Sequence, residues 1–147
     1  MIAVIQRCSQ AQVSVGENIV GKIDFGLLVL LGVFRGDTKD DANFLINKIS
    51  KLRIFNDHNN KMNLSINDIN GSVLVVSQFT LCGDISKGNR PSFINAATPD
   101  EANRLYVYFI EGLERLGLNV ESGKFGTTMD VQLVNNGPVT FVLNSED

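Results

Sequence analysis

Gly26-Leu27-Leu28-Val29-Leu30-Leu31-Gly32-Val33-Phe34 is apolar without a break. A strand with one face in water alternates apolar and polar residues. A run without alternation suits a strand covered on both faces. It is also far shorter than the ~20 apolar residues of a membrane-spanning helix. A second run, Gly71-Ser72-Val73-Leu74-Val75-Val76, is apolar and rich in β-branched residues, and also reads as a buried strand.

Upstream of the first run, residues 1–7 read as an apolar strand. Ala11-Gln12-Val13-Ser14-Val15 alternates with period two and stops at Gly16-Glu17-Asn18. Ile19-Val20-Gly21-Lys22-Ile23 follows, which predicts a hairpin. Downstream comes a helix. Asp37 or Thr38 can cap it, Asp40 and Asp41 fall in its first turn, and Lys48, Lys51 and Arg53 lie near its end. Ala42, Leu45, Ile49 and Leu52 form its apolar stripe. Residues 56–70 are rich in Asn and Asp and read as a loop with a short strand at Met62-Asn63-Leu64.

The second helix is the best marked. Thr98 is its N-cap, Pro99 its first helical position and Glu101 completes a capping box. Ala102, Leu105, Phe109, Leu113 and Leu116 line one face, and Gly117 ends it. Residues 120–122, 130–134 and 139–143 read as closing strands. The pattern predicts an α+β fold: antiparallel or mixed sheets with two main helices. With no repeat, linker or low-complexity segment, residues 1–147 are expected to form one domain.

The chain has 147 residues, 44% hydrophobic and 20% charged, with a net charge of −3. That charge argues against wrapping nucleic acid by bulk electrostatics, since cationic side chains normally supply that affinity. A short single-stranded end in a pocket remains compatible with it. Lys87 and Arg90 are the basic residues nearest a motif; they can meet phosphate or belong to a solvated loop. The first apolar tetrad runs at once into Gln6 and Arg7, unlike a signal peptide. Cys8 and Cys82 stand far apart. A cytoplasmic protein with reduced thiols is expected.

Conventional catalytic devices are scarce. The single histidine, His58, lies in the Asn/Asp-rich loop. There is no Cys/His cluster with metal-ligand spacing and no glycine-rich phosphate motif, so neither metal nor cofactor is expected. What remains is Ser77-Gln78-Phe79-Thr80-Leu81, at the end of a strand that reads as buried, and Asn136-Gly137-Pro138-Val139-Thr140. Polar groups at such a strand end need partners. On an extended segment, Ser77 and Phe79 would point one way and Gln78 and Thr80 the other. Phe79 and Leu81 read as core. Thr80 has no evident base, whereas a backbone N–H near Phe79 can stabilise an oxyanion. Gly137-Pro138 is a backbone device that presents carbonyl oxygens rather than a side chain.

These two motifs, in this order, resemble the pair found in D-aminoacyl-tRNA deacylases, the DTD family. Met1-Ile2-Ala3-Val4-Ile5-Gln6-Arg7, Gly88-Asn89-Arg90-Pro91-Ser92-Phe93 and Gly126-Thr127-Thr128-Met129 fit the same family. The resemblance covers essentially the whole chain. It implies a homodimer with a barrel-like core and active sites at the subunit interface. It also implies hydrolysis of the ester of D-aminoacyl-tRNA, and of mischarged glycyl-tRNA, with a ribose hydroxyl of the tRNA assisting. Carried over, the catalytic segment is Ser77, Gln78, Phe79 and Thr80. Gly137 and Pro138, joined by a cis bond and inserted from the partner subunit, form the chirality filter. Arg7 supports that filter, and Phe125, Gly126 and Met129 line an adenosine pocket. The implied partner is the acceptor end of aminoacylated tRNA, with no DNA, membrane or metal.

Two other readings stay open on the residues alone. One is a non-enzymatic dimeric interaction module, in which both motifs are turns and strand ends. The other is a Ser/Thr hydrolase of small esters using Ser77 or Thr80.

Overall fold

A computed structural model describes residues 1–146. Strand β1, Ile2–Val15, runs unbroken where the sequence predicts two shorter strands. The join at Cys8 is fully buried and extended, so the polar residues after it do not make a turn. This strand is the spine of the fold. Its first half pairs antiparallel with β3, Gly26–Gly32, and its second half with β2, Asn18–Ile23. Along both halves it also pairs antiparallel with β8, Asp130–Asn144. On the far side of β3, strands β6, Ser72–Ser77, and β7, Asn119–Ser122, add on in parallel.

The order β2-β1-β3-β6-β7 curls until β2 and β7 meet, giving a mixed sheet nearly closed as a barrel. Gly21 permits this closure: a Cβ there would stand 2.7 Å from the carbonyl oxygen of Ser122. The apolar run of β3 is covered on both faces, as its lack of alternation predicts. Leu28 points into a smaller cluster of strand residues, with Cys8, Val13, Leu74 and Val76. Leu27, Val29 and Leu31 point the other way, into a larger core shared with two helices.

Those helices are α1, Lys39–Lys51, and α2, Pro99–Arg115. Thr38 caps α1 and forms a capping box with Asp41. Asp37 instead accepts bonds from the Met1 amino group at 2.8 Å and from the Phe34 N–H at 2.6 Å. Ala42, Leu45 and Ile49 are buried as the stripe predicts, while Leu52 stands just past the helix in extended backbone. Thr98 and Glu101 form the expected capping box on α2, and Leu105, Phe109 and Leu113 fill the core. Leu116 departs from expectation. The helix has ended at Arg115, so this side chain is 44% exposed, and Gly117 follows at φ +84°. In the Asn/Asp-rich segment, β4, Phe55–Asn56, pairs with β5, Met62–Leu64. Only the second of these was legible in the sequence, because the first is two residues long.

Candidate active site

The end of β6 sets the site. Gln78 makes the last ladder bond, its N–H donating to the Leu31 carbonyl at 2.8 Å. The chain then leaves the sheet and tightens into a 3₁₀ turn over Phe79–Cys82. The side-chain alternation expected through Thr80 therefore stops at Ser77. Leu81 N–H closes on the Gln78 carbonyl at 3.2 Å and Gly83 N–H on the Thr80 carbonyl at 3.0 Å.

The first N–H groups of such a turn have no partner within it. Among the described residues, the N–H groups of Phe79 and Thr80 meet no acceptor. They remain available to a ligand. Phe79 is 57% exposed rather than core, with its ring edge-on to Phe93 at 5.0 Å. Thr80 is exposed, and its hydroxyl accepts a bond from the Gln78 side-chain amide.

Ser77, Gln78 and Phe79 open onto a cavity of about 550 Å³ whose other wall includes Phe125, Gly126 and Met129. That volume lies within the usual range for small-molecule sites. The structure thus brings both predicted groups to one place. Thr80 and His58 are not among the lining residues, and His58 sits exposed on the turn between β4 and β5. Thr127 and Thr128, which the sequence reading noted only as part of the Gly126–Met129 stretch, and Ala97 and Ala102, to which it gave no site role, also line the cavity. Small and hydroxyl side chains carry no recognisable chemical signature. A starting signal for Ala102 was its place in the first turn of a capped helix.

The Phe125 wall is backed from below. Tyr106 on α2 stacks at a tilt on Phe125, 5.7 Å between centroids, and its hydroxyl donates to the Val75 carbonyl at 3.0 Å. Burial pushes the Tyr106 phenol up to about 12, so it stays a neutral donor. Met129 reaches the cavity because residue 123 is glycine; a Cβ there would stand 2.7 Å from the Met129 sulfur.

Gly137 and Pro138 lie elsewhere. They are exposed and do not line this cavity. Residues 130–134 and 139–143 are not separate strands: β8 is continuous, and Gly137-Pro138 bulges out of it. The register shows this directly. Asn135 pairs with Cys8 and Thr140 with Gln6, which leaves the residues between them facing Arg7 alone. The Gly137–Pro138 peptide is cis.

Arg7 is 7% exposed and holds the bulge from beneath. Its Nε donates to the Asn136 carbonyl at 2.8 Å, and its Nη1 to the Ile54 carbonyl at 2.8 Å and to Asn56 Oδ1 at 3.1 Å. Asn135 pinches the neck. Its side-chain amide donates to the carbonyls of Arg7 and Val139, each at 3.0 Å. Reading the sequence did not single out Asn135 or Asn56 as clamps, because asparagine near a Gly-Pro pair or in an Asn/Asp-rich segment reads first as a turn or loop residue.

In architecture the chain superposes on a solved structure described as a c-Myc DNA unwinding element binding protein. The TM-score is 0.92, with 38% identity, over 98% of each chain. A probable eukaryotic D-amino acid tRNA deacylase matches in fold at TM-score 0.84 and 17% identity, covering 97% of this chain and 98% of that one. The chain belongs to the D-Tyr-tRNA(Tyr) deacylase family, whose model matches residues 4–144. D-aminoacyl-tRNA deacylases of Bacillus cytotoxicus and Thermotoga petrophila are 54% and 57% identical to it. The alignments cover 99% of this chain, and 100% and 97% of theirs.

Neither cysteine offers a nucleophile. Both are buried, and burial pushes each thiol up to about 11. A thiol whose pKa is raised by folding contributes stability that is full below its unfolded value and is lost as pH rises through the folded one. Stability to urea is therefore expected to hold up to about pH 9 and to fall between there and about pH 11. In native protein at pH 8 a maleimide should label neither thiol, and both should label in urea. Rapid native labelling would contradict the burial.

Proposed function

We propose that this chain hydrolyses the ester bond of D-aminoacyl-tRNA and releases the free D-amino acid and tRNA. The carrying observation is the cavity lined by Phe79, at the start of the turn whose Phe79 and Thr80 N–H groups meet no acceptor among the described residues, and by a facing wall of Phe125, Gly126 and Met129. The aromatic and thioether wall suits the terminal adenosine. The turn then lies where the ester carbonyl would sit. Family membership and the named activity of full-length relatives above 50% identity support the same reading.

In this mechanism a water oxygen bonds to the ester carbonyl carbon, and negative charge builds on the carbonyl oxygen. The N–H groups of the turn stabilise that charge. The carbon–oxygen bond to the ribose then breaks, and the departing oxygen takes up a proton to become the tRNA hydroxyl. The neighbouring ribose hydroxyl assists the attack, so the protein needs no nucleophile of its own. Ser77, Gln78 and Phe79 position the ester, and Thr80 braces Gln78.

Chirality is read by Gly137 and Pro138 of a second subunit. Their carbonyl oxygens accept from the substrate α-amino group and leave no room for an L side chain. Rejection by exclusion is steeper than a small difference in affinity. Glycyl-tRNA, which has no side chain, passes the same filter. The bulge lies outside its own chain's cavity, is exposed, and is flanked on β8 by exposed Val134, Phe141 and Val142. A homodimer would cover this apolar face and complete each site. The dimer works as paired single-domain chains in the cytoplasm, where aminoacyl-tRNA is made.

The small-ester hydrolase reading lacks a base for Ser77 or Thr80. An interaction module gives no account of the cavity.

The test is release of amino acid from D-tyrosyl-, L-tyrosyl- and glycyl-tRNA by nanomolar protein. D-Tyr and Gly should be released while L-Tyr stays bound. No release from any of them by folded protein would overturn the proposal. Thr80→Ala should keep kcat/KM for D-tyrosyl-tRNA within about tenfold of the parent. A loss of about 10³-fold with tRNA binding intact would instead make Thr80 a nucleophile.

A further inference from the structure

A tRNA end brings its phosphates with it, yet none of the described residues lining the cavity carries a charge. Each phosphodiester leading to the terminal adenosine must be met outside the cavity, by a chain whose net charge is −3. The cations on segments that adjoin the lining residues fall into two groups. Arg35 and Arg104 stand near Glu101, whose carboxyl they help hold below its ordinary value, after the larger effect of its bonds with Thr98. Lys87, Arg90 and Lys124 form no ion pair among the described residues.

These three cations are all attached to the rim. Lys87 and Arg90 project from a hairpin closed by reciprocal backbone bonds between Asp84 and Ser92, at 2.7 and 2.9 Å. The feet of that hairpin pack on the 3₁₀ turn. Phe93 meets the Phe79 ring at 5.0 Å, and a Cβ on Gly83 would stand 2.9 Å from the Phe93 ring. Phe79 itself lines the cavity. Lys124 immediately precedes the lining residues Phe125 and Gly126. Its carbonyl accepts from the Thr127 hydroxyl at 2.8 Å, which closes that loop.

We infer that Lys87, Arg90 and Lys124 bind the backbone phosphates of the single-stranded 3′ end just before the terminal adenosine. They position the substrate and do not touch the reacting ester. This inference rests on the deacylase reading and adds to it how an acidic protein holds a polyanion. A few local cations outside an uncharged pocket supply the grip, so binding falls with salt by about 0.7 log units per log unit of salt for each single-strand phosphate met.

The test compares the parent with Lys87→Gln/Arg90→Gln/Lys124→Gln on two substrates. One is D-tyrosyl-tRNA across a salt series; the other is D-tyrosyl-adenosine, which has no phosphate. The ratio of kcat/KM for the tRNA to that for the adenosine ester should fall by about tenfold or more in the variant. Its salt dependence should become shallower by about 0.7 for each phosphate that no longer meets a cation. The charge-keeping variant Lys87→Arg/Arg90→Lys/Lys124→Arg should restore both. An unchanged ratio and slope would overturn the inference, and so would an equal loss on both substrates. If the parent cleaves neither substrate, the deacylase reading itself fails, which is a separate outcome.

Discussion

The buried guanidinium of Arg7 ties together parts of the chain that are far apart in sequence. It lies on β1, the strand that pairs with three others, and it is 7% exposed. Its donors reach the carbonyl before Gly137 on β8 and the Ile54–Asn56 segment beyond α1. A buried cation is costly unless its donors are satisfied. The planar fork of arginine suits this geometry, with one edge for the bulge and another nitrogen for the hairpin strand. A lysine in its place would present a single point of attachment. The bulge is therefore fixed by the barrel's own spine, although it lies on the surface and is built from glycine and proline.

A second constraint is the absence of charge in the cavity among the described residues. An uncharged pocket does not attract water and ions as a charged one does, and it makes backbone N–H groups stronger ligands for a developing oxyanion. The two buried thiols are held protonated, and the tyrosine behind Phe125 is held neutral. Chemistry in such a site depends on placement more than on titrating side chains.

Much of this was legible in the sequence. The unbroken apolar run of β3 announced two covered faces, and the structure supplies a core on each. The capping box at Thr98 marked where α2 begins, while for α1 the sequence left the cap between Asp37 and Thr38. The strand-end motif led to the cavity. What could not be read were features set by tertiary geometry. Cys8 keeps β1 extended only because it is buried, and nothing local predicts that. Phe79 looks like a core residue until the chain turns out of the sheet at Gln78. The clamp at Asn135 depends on a carbonyl more than a hundred residues away in β1 as well as on one close by. No short pattern encodes such a partnership.

The most direct test of the account is whether two defective chains complement each other. Ala102→Trp fills the cavity of its own chain. Gly137→Ala displaces the bulge, since a Cβ there would stand 2.0 Å from the Val139 nitrogen. Each variant alone should fail to release D-tyrosine from its tRNA. Co-expressed and co-purified, they should recover about a quarter of the parent activity. Random pairing makes half of the dimers mixed, and each mixed dimer holds one intact composite site. Recovery at that level is the expected result. A mixture as inactive as its parts would contradict a site shared between subunits.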